Sequence, residues 1–316
     1  MPGCVLAVNE QDGSDSYFLS RGRAKVKKTT LIIGCGDIGT TLGKRLTEAG
    51  QRVVGVRRKA ATLEGSGIEP LSLDIHAEGA VAELPDADTL VYVLSADRFE
   101  EDAYRAAYPA GLKAVLAEFA GRETPPRHVF FVSSTSVYAQ REGEQVDEDS
   151  PIDPSGFSGQ LMKEAEEALM AHELPGTVVR FSGIYGPGRD RLIRQAGEGR
   201  IAAANPPMYS NRIHRDDCAG VLEHLIQRVL DDAPVEPLYL ASDCEPAPLH
   251  EVMTWLATKL KVESTQVIQS PLRRRASKRC NNARLLASGY VFRYPSYREG
   301  YAQVLEAGGF LPEASR

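Results

Sequence analysis

Gly34, Gly36 and Gly39 stand in the stretch GCGDIG, a GxGxxG spacing that follows the apolar run TLIIG and leads into a segment of helical character. Such a loop turns tightly and lets backbone N–H groups approach a pyrophosphate. It also packs the next helix close to its strand, and that helix presents its positive end to the phosphate charge. The spacing alone is weak; between a strand and a helix it reads as a dinucleotide cradle made of Gly34, Cys35, Gly36, Asp37, Ile38 and Gly39. At the tip of the next apolar run, where an acid would hold the ribose 2′-hydroxyl of NAD, the chain carries Arg57, Arg58 and Lys59. Cations there fit a 2′-phosphate, so NADP is expected ahead of NAD; the plain alternative is a solvated basic turn. Asp74 closes a third run and either accepts from the adenine amino group or simply ends the strand. Ser95, Ser133 and Ser134, at the ends of two further runs, are expected to face the same site.

These residues need a scaffold, and the pattern supplies one. Short β-rich runs alternate with helical segments from Thr29 onward, as in stacked β-α units around a parallel sheet. The runs are TLIIG (30 to 34), RVVGV (52 to 56), PLSLD (70 to 74), TLVYVLS (89 to 95), HVFFVSS (128 to 134), TVVRF (177 to 181) and PLYLAS (237 to 242). Most are apolar on both faces, as strands covered by helices on both sides must be. TTLGKRLTEAG ends on Gly50 as a helix C-cap would, and QLMKEAEEALMAH has amphipathic spacing. DDCAGVLEHLIQRVL opens with two acids at its positive end. The fold class expected is α/β, a Rossmann-type doubly wound parallel sheet with a smaller C-terminal substrate lobe. Residues 29–181 and 211–242 would form the dinucleotide-binding domain, and 182–210 with 243–316 the lobe. Residues 1–28, without an apolar core and ending in RGRAKVKK, read as a flexible leader.

Composition narrows the function classes. The 316 residues carry a formal net charge of -6, which disfavours nonspecific nucleic-acid binding because a phosphate backbone attracts a basic face. No apolar run approaches the roughly 18 residues needed to span a bilayer. Cys4, Cys35, Cys218, Cys244 and Cys280 are widely spaced, so neither a disulfide framework nor a metal site is indicated, and a cytoplasmic location is expected.

In order along the chain, GCGDIG, VYVLSAD, FVSSTSVYA, VVRFSGIYGPGR, NRIHRDD and LYLASDCEPAPLHEVMTWLA resemble the extended short-chain dehydrogenase/reductase superfamily, in its NAD-dependent epimerase/dehydratase branch. The likeness runs from about residue 30 to 300, and the glycine loop departs from it only in having Ile33 where the family has a further glycine. The resemblance implies a catalytic Ser or Thr, a Tyr with a Lys four residues later, and an Asn on the preceding long helix. Ser134 keeps the first position, with Ser136 beside it. The aligned Tyr, Lys and Asn positions hold Ser158, Met162 and Tyr108, and Lys163 lies about 100° around the helix from the Lys position. Tyr acts as acid/base in such enzymes because Lys and the nicotinamide charge lower its pKa, and here that pair is missing.

Candidates to replace it are Tyr185 in GIYGPG and Tyr138, for both of which turn packing is the plainer reading. His214 in NRIHRDD reads as a structural histidine. Arg273, Arg274, Arg275, Lys278 and Arg279 make a basic loop where the resemblance implies a nucleotide-sugar diphosphate, with a solvated run as the alternative. The expectation is an NADP(H)-binding oxidoreductase or epimerase-like protein with altered chemistry, acting on a nucleotide-sugar-like or other small polar substrate. Its catalytic candidates are Ser134 and Tyr185. The alternative is a catalytically silent NADP(H)-binding redox sensor or scaffold. The partner expected is a small-molecule substrate, with neither nucleic acid nor membrane, and similar proteins suggest a homodimer through sheet-flanking helices.

Overall fold

Seven strands, all parallel, form the central sheet of the computed structural model, which describes residues 27–268 and 277–311. Most of the expected leader, and Arg273, Arg274 and Arg275, lie outside the described residues. The strands are β1 (Thr29–Ile33), β2 (Arg52–Arg57), β3 (Glu69–Ser72), β4 (Thr89–Tyr92), β5 (His128–Ser134), β6 (Gly176–Phe181) and β7 (Leu238–Ala241). Their order is β7-β6-β5-β4-β1-β2-β3, so the winding reverses between β1 and β4. Each run read from the sequence contains a strand, but PLSLD and TLVYVLS are shortened at their C-terminal ends. Val93 N–H makes one last bond to the Ile33 carbonyl at 2.9 Å, after which Leu94 and Ser95 leave the sheet.

Period-two alternation explains why the strands other than the edge strand β3 are apolar on both faces. Leu31, Ile33, Leu90, Tyr92, Val129, Phe131 and Val178 enter one core, while Ile32, Val91, Phe130, Val179 and Phe181 enter the other. Before the last strand the chain forms α1 (Asp37–Glu48), α2 (Glu101–Arg105), α3 (Gly111–Ala120), α4 (Phe157–Met170), α5 (Arg191–Gly197) and α6 (Arg215–Leu230), of which α1, α3, α4 and α6 cover these faces. The first core takes Leu112, Val115, Leu116 and Phe119 from α3 and Met162, Ala165 and Leu169 from α4; the second takes Leu42 and Leu46 from α1 and the apolar stripe of α6. Gly50, with φ at 84°, follows α1 in the left-handed conformation that ends a helix.

Between α2 and α3 the chain makes one turn of π-helix, Ala106–Ala110, around Pro109. Proline has no N–H to continue an α-helical ladder, and a wider turn absorbs the missing bond without breaking the rod. The Tyr92 hydroxyl donates to the Ala107 carbonyl at 2.7 Å and pins this turn to β4.

Among the described residues, β7 is followed by α7 (Leu249–Leu260), α8 (Ala283–Ala287) and α9 (Tyr297–Ala307). With α5 and short two-stranded ribbons, α7 and α9 enclose a third core of Tyr185, Ile193, Val252, Leu256, Tyr301 and Val304 beyond the sheet's C-terminal edge, while α8 sends Leu285 into the second core. Among the described residues no helix is long and apolar enough to cross a membrane.

Candidate dinucleotide and substrate cleft

A cleft of about 980 Å³ opens over the C-terminal ends of β1, β2, β4 and β5, at the point where the strand order reverses. Gly34, Gly36, Asp37, Ile38, Gly39, Arg57, Arg58, Asp74, Ser95, Ser133 and Ser134 all line it. Two expected residues do not. Cys35 is buried beneath the loop: its N–H is held by the Val56 carbonyl at 2.9 Å, and burial pushes its thiol up to about 11. Tyr185 is the second exception, because the ribbon pairing Gly183–Tyr185 with Arg212–His214 turns alternate residues apart. Ile184 therefore faces the cleft, and Tyr185 packs on Tyr301 and His214 in the third core.

The glycines of the loop have separate reasons. Gly34 has φ at 88°, and a Cβ there would lie 2.5 Å from the Leu94 Cα, so the fold itself demands glycine. A Cβ on Gly39 would sit 3.0 Å from Ile32 Cγ2, where α1 crosses β1. At Gly36 an added Cβ would meet nothing closer than the Gly34 carbonyl at 3.8 Å. The protein leaves that space open, and α1 starts there without a side-chain cap, so its first N–H groups are available to an anion. This cradle, in a cleft with a basic end, fits a nicotinamide dinucleotide.

At the end beside β2 and β3, Arg58 is held by Asp97 in a bidentate pair, with Nη1 and Nη2 donating at 2.7 and 2.6 Å. Arg57 carries no ion pair among the described residues and lines the cleft. Asp74 accepts from the His76 N–H at 3.1 Å, and its side chain lies on the wall. Asp37, in the first turn of α1, receives Arg189 at 3.1 Å and Arg215 at 3.2 Å, both from segments beyond the sheet.

The other end is formed by β5, the 103–108 segment and α4. Ser134 Oγ accepts from the Ser136 N–H at 3.2 Å. Ser133 donates to Glu166, whose carboxylate is gripped by Arg180 through Nε at 3.0 Å and Nη2 at 2.6 Å; the two charges are 1% and 3% exposed. Arg180 Nη1 donates to the Tyr138 hydroxyl at 2.9 Å, and that hydroxyl donates to the Asp147 carbonyl at 2.6 Å. Tyr138 is thus a buried strut. His214 is fully buried and caps α6, its Nδ1 accepting from the Asp216 N–H at 3.2 Å. Met162 forms cleft wall, Ser158 lies half-buried one turn before it, and Lys163 turns outward to Glu167 at 3.7 Å.

Sequence reasoning treated Tyr108 only as a lost Asn, yet it lines the cleft with Ala103, Ala106 and Ala107. Burial raises its phenol pKa. The run AYRAAYPAG contained the signal, small residues on one side of a helix, but its proline obscured the helix. Just past β7, Asp243 is buried, and desolvation pushes its carboxyl up to about 8 against the pull of Arg212. No group of three or more His, Cys, Asp or Glu among the described residues is placed to hold a metal ion.

Residues 30–237 match the model of the NAD-dependent epimerase/dehydratase family. A solved structure from Methylobacillus flagellatus, described as an NAD-dependent epimerase/dehydratase, is 38% identical with a TM-score of 0.74, covering 90% of this chain and all of the other. A conserved protein of unknown function from Silicibacter pomeroyi is 27% identical with a TM-score of 0.70, over 89% of this chain and 99% of that one. The human epimerase family protein SDR39U1, solved with NADPH, shares the fold at 20% identity and a TM-score of 0.70, over 88% and 99%. No curated protein matches the sequence. Glycine cradle, strand order and family match together establish that the chain belongs to the NAD-dependent epimerase/dehydratase family of extended short-chain dehydrogenase/reductase proteins, with a Rossmann fold built for a nicotinamide cofactor.

Proposed function

We propose that the chain is an NADP(H)-dependent oxidoreductase or epimerase-like enzyme acting on a small organic substrate, with the Tyr/Lys pair of its relatives replaced by Ser158 and Met162. The observation that carries the cofactor choice is Arg57, a cation facing the cleft at the tip of β2, where selection for NAD calls for an acid. The human relative solved with NADPH supports the same reading. Arg58, engaged by Asp97, is secondary in it. When bound, the nicotinamide supplies hydride chemistry; the protein's share is to hold the dinucleotide at Gly36 and Arg57 and to orient the substrate near Ser134.

Calorimetric titration with NADPH and NADH tests this. A charge-assisted contact is worth roughly 1.5 to 3 kcal/mol, so NADPH should bind at least about tenfold tighter, and Arg57→Ala should abolish most of the difference. Equal affinities for the wild-type protein would overturn the NADP assignment. Met162 on the cleft wall, where a Lys is expected, favours a second reading as a silent dinucleotide binder. Tight NADPH binding without turnover of any carbonyl or alcohol would establish it.

A further inference from the structure

A carbonyl that accepts a hydride becomes an alkoxide, so a cleft built for that chemistry needs a proton at its reacting end. The tyrosines around the β5 end differ in what their hydroxyls do. Tyr92 donates to the Ala107 carbonyl at 2.7 Å, Tyr138 donates to the Asp147 carbonyl at 2.6 Å, and Tyr185 is enclosed in the third core. Tyr108 lines the cleft, and its hydroxyl takes part in one hydrogen bond among the described residues, as acceptor from the Ala96 N–H at 3.5 Å. Its proton therefore has no acceptor among the described residues and is left for a ligand.

The serines of this end are weaker candidates. Ser133 gives its proton to Glu166. Ser134 is an alcohol, no stronger an acid than the alcohol being formed, so a proton passed from it gains nothing. A phenol, with an ordinary pKa of about 10, protonates an alkoxide downhill. Burial raises the Tyr108 phenol against the pull of the Ala96 N–H, so it carries its proton at neutral pH. The fold also fixes its place. Tyr92 pins the π-turn from β4, and a Cβ on Gly111 would collide with the Tyr92 hydroxyl. The other titratable groups at this turn are Tyr92, Tyr104 and His76, and Asp97 and Arg98 follow Ala96 along the cleft wall.

We infer that Tyr108 is the proton donor of this cleft, in place of the Tyr whose aligned position holds Ser158. This rests on the reading that the cleft holds NADP(H), with its phosphates at Gly36 and its 2′-phosphate at Arg57, which leaves the β5 end for the reacting ring. The substrate's carbonyl carbon receives the hydride, with both electrons of the C4–H bond whose loss turns NADPH into NADP⁺. The C=O π pair moves to oxygen, and that oxygen bonds to the proton leaving Tyr108 Oη. A proton from the solvent then restores the phenol.

The test uses the charge that distinguishes NADP⁺ from NADPH at the nicotinamide ring. Phenolate absorbance is followed from neutral pH to the onset of alkaline unfolding in the wild type, Tyr108→Phe and Tyr104→Phe, each saturated with one or the other. In the wild type one phenolate should form at least about one pH unit lower with NADP⁺ than with NADPH, because a positive charge within a few Å favours the ionised phenol. Tyr104→Phe should keep that difference and Tyr108→Phe should lose it, with NADPH affinity unchanged. With 4-nitrobenzaldehyde as the carbonyl, Tyr108→Phe should oxidise NADPH at least about 100-fold more slowly than the wild type. Coincident NADP⁺ and NADPH titrations of the wild type overturn the assignment, and that comparison stands even where Tyr108→Phe does not fold. So do a difference that survives in Tyr108→Phe and measurable, equal rates of aldehyde reduction by the two proteins. The titration decides where neither turns the aldehyde over. Absence of NADP(H) binding, read by calorimetry, removes the cofactor reading itself.

Discussion

Beside β2 and β3 the cleft keeps its charges on the surface. Arg58 and Asp97 are each more than half exposed, and Arg57 and Lys59 stand in front of the wall formed by Asp74. Beside β5 the strongest charges, Glu166 and Arg180, are withdrawn behind Ser133, and what meets a ligand is hydroxyl, thioether, phenol and methyl. Exposed pairs of the first kind contribute about 0 to 1 kcal/mol to stability, so that end is free to be shaped by the ligand. A buried pair of the second kind is part of the fold, and losing one partner strands the other charge in a dry interior. One end of the cleft is thus set by what it binds and the other by what holds it up.

The largest expected effect lies at the buried pair. Glu166→Ala should destabilise the protein by about 3 to 5 kcal/mol in urea unfolding, whereas Asp97→Ala should cost less than about 1 kcal/mol. Equal losses would erase the contrast between the two ends. Next in size is the pair of loop glycines. Gly36→Val should keep the thermal transition while weakening NADPH at least about 100-fold, roughly 2.7 kcal/mol, because the valine fills space that only a ligand uses. Gly34→Val should lower the thermal transition itself, since its Cβ collides with the backbone of Val93 and Leu94 just past β4. A Gly36→Val protein that binds NADPH normally would show that the open space is not a cradle.

The third comparison is a pH dependence. Burial holds the Asp243 carboxyl near 8 against about 3.9 in an unfolded chain, so folding favours its protonated form. The stabilisation this gives is complete below about pH 4 and is lost as pH rises toward about 8. Asp243→Asn removes that loss. Its melting temperature should therefore exceed the wild type's at about pH 9 and approach it at about pH 4, and a constant offset across that range would remove Asp243 as the cause.

The legible half of the site was the half that repeats a local pattern. Gly34, Gly36 and Gly39 announce a turn by spacing alone, and Arg57 sits at a strand tip that alternation marks out. Six of the seven strands were readable for the same reason, since both their faces are apolar, whereas the edge strand β3 is mostly exposed. What stayed hidden depends on side-chain direction across elements. Nothing local says that Ile184, rather than Tyr185, faces the cleft; the pairing of two short ribbon strands decides it. Nor does spacing reveal that a π-turn around Pro109 brings Ala106, Ala107 and Tyr108 to the wall. Glu166 read as one more acid on an amphipathic helix, because its partner Arg180 lies on a different strand.

Asp37 joins the glycine cradle to the rest of the molecule. It belongs to the first turn of α1, yet the arginines that neutralise it, Arg189 and Arg215, come from the chain just before α5 and from the start of α6. A ligand that draws either arginine away changes the charge that the α1 N-terminus presents. Binding free energies are reciprocal, so an anion seated at that N-terminus must alter the ligand's affinity by the same factor. Two compounds that never touch would then sense each other through a single carboxylate, and cooperativity between them would need no movement of the sheet.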